Sequence, residues 1–188
     1  MERRFRTGLS FRTTGLVLGL VSLLLVSAAT ADAASPADFK LKDLKGETFQ
    51  LSDHLGEEVI YISFWATWCV PCRREMPHLQ ELYEELKGEG FTVLSVNTDP
   101  AANKSKIKPW VNRYKITFPI VLDPDNTVHD RFNPPRKLPY GVLIARDGSI
   151  QETYPGYRTG DELRLKEAVR ELLASGGETD GQVEENDG

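Results

Sequence analysis

Cys69 and Cys72 are the only cysteines in this chain of 188 residues, and just Val70 and Pro71 separate them. Thiols at that spacing can pair with each other in a small disulfide, share a soft metal ion, or take up a sulfur from a substrate. Which of these they do depends on how readily one thiol becomes a thiolate, the form that attacks disulfides. That in turn depends on the backbone that carries them.

Upstream, Val59-Ile60-Tyr61-Ile62-Ser63-Phe64 is a nearly unbroken apolar run, as in a parallel strand buried on both faces. Downstream, Met76, Leu79, Leu82, Tyr83 and Leu86 recur at helical spacing. The cysteines therefore fall on a strand-to-helix turn, with Cys69 expected exposed at the helix N-terminus and Cys72 in its first turn. Unpaired N–H groups and the positive end of the helix dipole favour a thiolate there. Pro71 restrains the backbone between the thiols, and Pro77 should kink the helix. Trp68 offers a broad apolar surface beside the attacking sulfur. Glu75 follows Cys72 by three residues and shares its helix face. A buried carboxylate at that place would accept the proton of Cys72 when that thiol attacks a mixed disulfide.

The string Phe64-Trp65-Ala66-Thr67-Trp68-Cys69-Val70-Pro71-Cys72-Arg73-Arg74-Glu75-Met76-Pro77 resembles the active-site segment of the TlpA/ResA-like thiol-disulfide oxidoreductases, exported proteins of thioredoxin fold. The likeness extends from about Phe39 to Leu173. It implies that Cys69 and Cys72 form a redox disulfide and that Glu75 is the active-site glutamate. Ordinary thioredoxins instead keep an aspartate six residues before the first cysteine, where this chain has Ser63. The resemblance also implies a cis proline at Pro139, with the backbone of Leu138 left to pair with an extended substrate. Trp68, Leu138, Pro139 and Tyr140 would then bind substrate. The family usually has small hydroxyl residues near this proline and then Phe, whereas Tyr140-Gly141 follow Pro139 here, a departure that bears on substrate preference.

The implied activity is reduction of disulfides in exported proteins, such as apocytochrome c during cytochrome c maturation or copper-site assembly proteins. No cofactor beyond the Cys69–Cys72 dithiol is needed, and a membrane thiol-reducing system would recharge it. A disulfide-forming oxidase shares the same motif. A Cu(I)-binding chaperone is the reading from another class, although thioredoxin-like copper chaperones typically space their cysteines by three residues. His54, His78 and His129 are isolated in the sequence, so no metal site is expected.

The N-terminus bears on compartment. Arg3, Arg4, Arg6 and Arg12 precede an apolar stretch from Gly15 to Ala29, about the length of a signal h-region and short for a membrane span. Residues 1–33 read as a signal peptide, with an uncleaved membrane anchor as the rival, and either places the chemistry in the periplasm or on the outer side of the inner membrane. Without residues 1–33 the chain keeps 19 basic and 26 acidic residues, a net charge of −7. That balance argues against nucleic acid as a partner. Residues 34–174 suffice for one domain, and residues 175–188, acidic beyond Ser175, read as a disordered solubilising tail.

The remaining pattern predicts the α/β class: a thioredoxin-like fold with a mixed central β-sheet flanked by helices. An N-terminal hairpin spans Phe39 to Leu51, and Phe91–Val96 is the second central strand. An inserted segment around residues 97–118 carries a helix over Lys104–Tyr114, with Pro109 able to break it. Ile120–Leu122 is a short strand and Thr127–Phe132 a short helix. Asp147-Gly148 joins two strands as a hairpin, and Gly160–Leu173 closes the domain as a helix.

Overall fold

The structure is a computed structural model in which residues 38–176 are described. The leader at 1–33 and residues 177–188 of the tail lie outside the described residues, whereas Ser175, the first residue assigned to the tail, is the last residue of the closing helix. Within them the chain runs β1 (Lys40–Asp43), β2 (Thr48–Gln50), β3 (Val59–Trp65), α1 (Val70–Leu86), β4 (Phe91–Asn97), α2 (Ile107–Tyr114), β5 (Ile120–Leu122), α3 (His129–Phe132), β6 (Tyr140–Ile144), β7 (Ile150–Pro155) and α4 (Asp161–Ser175). The strands form one mixed sheet in the order β2-β1-β5-β4-β3-β6-β7.

The central strands β3 and β4 are parallel and buried along their whole length. Their apolar residues point alternately to two cores, as the pleat requires. Val59, Tyr61 and Trp65 join Met76, Leu79 and Leu82 of α1 and Leu165 and Val169 of α4 on one face. Ile60, Ile62 and Phe64 join Phe39, Leu51 and Val128 on the other. This alternation decides which side chains can reach the cysteines.

Two local features refine the sequence expectations. Between residues 97 and 118 a 3-10 stretch, Ala101–Lys106, precedes α2. The helix starts at Ile107, so Pro109 lies in its first turn, where a missing N–H breaks no helical bond. α1 runs on through Pro77 as one helix to Leu86. Among the described residues, no helix is long and apolar enough to cross a membrane.

Candidate active site

The site is built where β3 ends and α1 begins. Cys69 is the N-cap of α1 in extended conformation, and its Sγ accepts a hydrogen bond from the Cys72 N–H at 3.2 Å. The two sulfurs are joined in a disulfide, with Cα atoms 5.3 Å apart. In the reduced protein the same N–H and the α1 dipole would face a Cys69 thiolate, lowering the cost of its charge. The sequence expectation of an exposed Cys69 is corrected: it is 3% exposed and Cys72 is 1% exposed. The pair turns inward onto the α1-side core, and its neighbours take the surface instead, Trp68 at 66% and Val70 at 52%.

Asp99 fixes the loop that leads to Cys69. Its carboxylate accepts from the Thr67 N–H at 2.8 Å and the Thr67 hydroxyl at 3.0 Å. Asn97 at the end of β4 donates to the same carboxylate at 2.9 Å, and Thr98 bonds the Trp65 carbonyl. No motif in the sequence marks Asn97-Thr98-Asp99 as part of the site. The available signal was position, because polar residues just past the carboxyl end of a parallel strand sit where α/β folds place their sites.

Glu75 is buried one helical turn beyond Cys72. The Tyr61 hydroxyl donates to its Oε1 at 3.2 Å and the Ser63 hydroxyl to its Oε2 at 3.3 Å. Burial pushes the Glu75 carboxyl up from 4.5 to about 7, the two hydroxyls pull it down in part, and Asp161 adds a repulsive push. A carboxyl balanced near neutrality can both take and return a proton. Burial, reinforced by Glu75, holds the Tyr61 phenol well above its ordinary range, so it remains a donor. A cavity of about 10 Å³ lies beside Glu75, lined by Tyr61, His78, Tyr154, Tyr157 and Asp161 among others. That is about the space one water needs.

Tyr61 was legible only as a strand residue. Its ring lies across Gly141 of β6, which pairs with Ser63, so no side chain blocks the hydroxyl from Glu75. A Cβ on Gly141 would lie 1.9 Å from the Tyr61 hydroxyl oxygen and 2.4 Å from Cζ. The Tyr61 ring is fully buried and packed edge-on against Tyr154 at 5.7 Å, so it has little room to yield. Gly141→Ala should therefore cost about 2 kcal/mol of stability and break the Tyr61–Glu75 hydrogen bond. Urea unfolding checks the first part; unchanged stability would show that Tyr61 has another place to go.

The predicted substrate residues separate. Tyr140 pairs with Phe64 in the sheet, which sets Leu138-Pro139 at the end of β3 that carries the cysteines. The Leu138–Pro139 bond is cis. Leu138 is half-buried and Pro139 buried. Tyr140 is corrected: it packs with the core on the opposite face of the sheet, because Gly141, the next residue, takes the cysteine side. The histidines stay apart. His54 bonds Glu58, His78 lies 3.7 Å from Glu81 and stacks on Tyr157, and His129 is buried beside Phe64 and Asn133. Among the described residues, no group of three or more His, Cys, Asp or Glu side chains could hold a metal ion.

Comparison with known proteins gives the same picture. Residues 32–153 match the AhpC/TSA family. The chain is 37% identical over 135 residues to the thiol-disulfide oxidoreductase ResA of Geobacillus kaustophilus, covering 72% of this chain and 75% of that one. It is 38% identical over 122 residues to the protein of the same name from Halalkalibacterium halodurans, covering 65% and 67%. Its fold is similar to the thioredoxin domain of a thiol-disulfide oxidoreductase from Bacteroides vulgatus, with a TM-score of 0.59, 26% identity, and 73% and 96% of the two chains covered.

Proposed function

This chain belongs to the thioredoxin-like thiol-disulfide oxidoreductases of the ResA kind, within the AhpC/TSA family, and from that premise we propose that it works outside the cytoplasm as a reductant of disulfides in exported proteins. The Cys69 thiolate attacks a substrate disulfide. That bond breaks, a Cys69–substrate disulfide forms, and the departing sulfur takes a proton. Glu75 accepts the proton of Cys72, whose sulfur then attacks Cys69. The second substrate thiol leaves, and the Cys69–Cys72 disulfide holds the two electrons' worth of oxidation. No cofactor beyond the dithiol enters the cycle. A membrane thiol-reducing system returns the pair to its reduced form, and apocytochrome c or copper-site assembly proteins are the proposed substrates.

The observation that carries the direction is the buried Glu75 one turn from Cys72. Strong oxidants of this chemistry owe their potential to a stabilised reduced form, with a low-pKa thiolate. The N-terminus of α1 favours such a thiolate. An ionising carboxyl buried close by opposes it and so moves the couple toward the reducing end. Equilibration with a dithiol of known potential should give a value nearer the thioredoxin figure of about −270 mV than the strong-oxidant figure of about −120 mV. A value at the oxidising end would make the protein a disulfide-forming oxidase.

A further inference from the structure

One surface beside the disulfide has no part in the chemistry above. Residues 101–116 contain Lys104, Lys106, Lys108, Arg113 and Lys115 and no acidic residue, in a protein whose overall charge is −5. All five are exposed, as is Arg73, the residue after Cys72. None of the six forms an ion pair with a described residue, whereas Lys87, Arg136, Arg164, Lys166 and Arg170 all do. Lys104 lines a separate cavity with Asp99, Asp123 and Asp125, while Arg73 and Arg113 turn to another groove that no acidic residue lines.

Two of these cations, Arg73 and Arg113, line an aromatic groove. The Arg73 guanidinium lies 5.2 Å from the centre of the Trp110 ring, and Trp110 stacks on Tyr114 at 5.2 Å. Arg73, Pro109, Trp110, Arg113 and Tyr114 line a groove of about 240 Å³. The Arg73 N–H donates to the Cys69 carbonyl at 3.3 Å, so the groove begins next to the redox pair. On that same turn, Trp68 and Val70 are exposed.

We propose that this face, formed by α2 and the first turn of α1, docks an acidic, extended segment of the protein whose disulfide is exchanged. The inference rests on the oxidoreductase reading and adds the chemistry of the partner. Two guanidinium groups and unpaired lysines suit carboxylates, with planar forks at Arg73 and Arg113 able to bind them through two hydrogen bonds each. Trp110 and Tyr114 supply apolar contact between those charges. A patch of one sign beside the reacting sulfur also speeds encounter with partners of the opposite sign and repels those of its own.

The test uses the full chain, reduced beforehand, and two synthetic peptides with the same internal disulfide, one flanked by aspartates and glutamates and the other by lysines. The acidic peptide should be reduced about tenfold faster at low ionic strength, and added salt should erase the difference. The double variant Arg113→Glu with Lys115→Glu, both exposed, should abolish or invert the preference. Equal rates for the two peptides in the unaltered protein would overturn the docking surface, whether or not the variant folds. So would a preference that survives charge reversal, or self-association showing that a second copy covers this face. Failure to reduce either peptide would overturn the oxidoreductase reading itself.

Discussion

Cys72→Ala is expected to stop turnover and leave the protein joined to its substrate through Cys69. The two sulfurs are not equivalent. Cys69 is the N-cap of a 17-residue helix and receives the Cys72 N–H, so the helix stabilises charge on its sulfur. It also lies between exposed Trp68 and Val70, on the side a partner approaches. Cys72 sits inside the first turn, 1% exposed, on the helix face that holds Glu75. It can reach the Cys69 sulfur but is poorly placed to attack an incoming protein. Without it the mixed disulfide has no internal resolving thiol. Steady-state reduction should fall by about 10³-fold or more, and non-reducing electrophoresis should show a covalent adduct that a small thiol releases. Cys69→Ala should lose as much activity and accumulate no adduct. Trapping by Cys69→Ala alone would reverse the assignment of nucleophile and resolving thiol, and equal trapping by both variants would remove it.

The parts of this site that were legible in the sequence are those that depend on local spacing. The strand before the cysteines, the helix after them and the three-residue step to Glu75 all lie within one continuous segment, where hydrophobic period alone sets direction. Pro139 came from the family resemblance and not from spacing. What the sequence did not reveal depends on register between segments distant in the chain. Tyr61 becomes a donor to Glu75 only because β3 and β6 align so that Gly141 leaves room for its ring. Asp99 anchors Thr67 across 32 residues of sequence. Tyr140 was misassigned for the same reason, since one residue of register decides which face of a sheet a side chain occupies. The exposure of Cys69 was misjudged because helix position says nothing of how a disulfide turns its sulfurs.

These register effects converge on Glu75, whose replacement should alter both stability and rate, with a pH dependence that identifies the cause. Its carboxyl has an ordinary value of 4.5 and is lifted by burial to about 7 in the fold. Below 4.5 the group is protonated in both folded and unfolded chains and contributes no slope. Between 4.5 and about 7 the unfolded chain gives up this proton while the folded one retains it, so stability falls as pH rises. Above 7 both states are ionised and the loss is complete, about 3 kcal/mol in all. Glu75→Gln keeps an oxygen for one hydroxyl and an amide for the other, with Tyr61 and Ser63 both able to rotate to suit. The variant should lose that decline and be the more stable protein at pH 8, by urea unfolding of the oxidised form. It should also resolve mixed disulfides more slowly, because nothing adjacent can take the Cys72 proton, and the rate should no longer change around pH 7. A structural role alone would move the stability curve and leave the rate profile intact. Parallel curves for the two proteins from pH 5 to 9, in stability and in rate, would reduce Glu75 to a packed helix residue. Loss of both slopes together would tie the cost of burying this carboxyl to its work on Cys72.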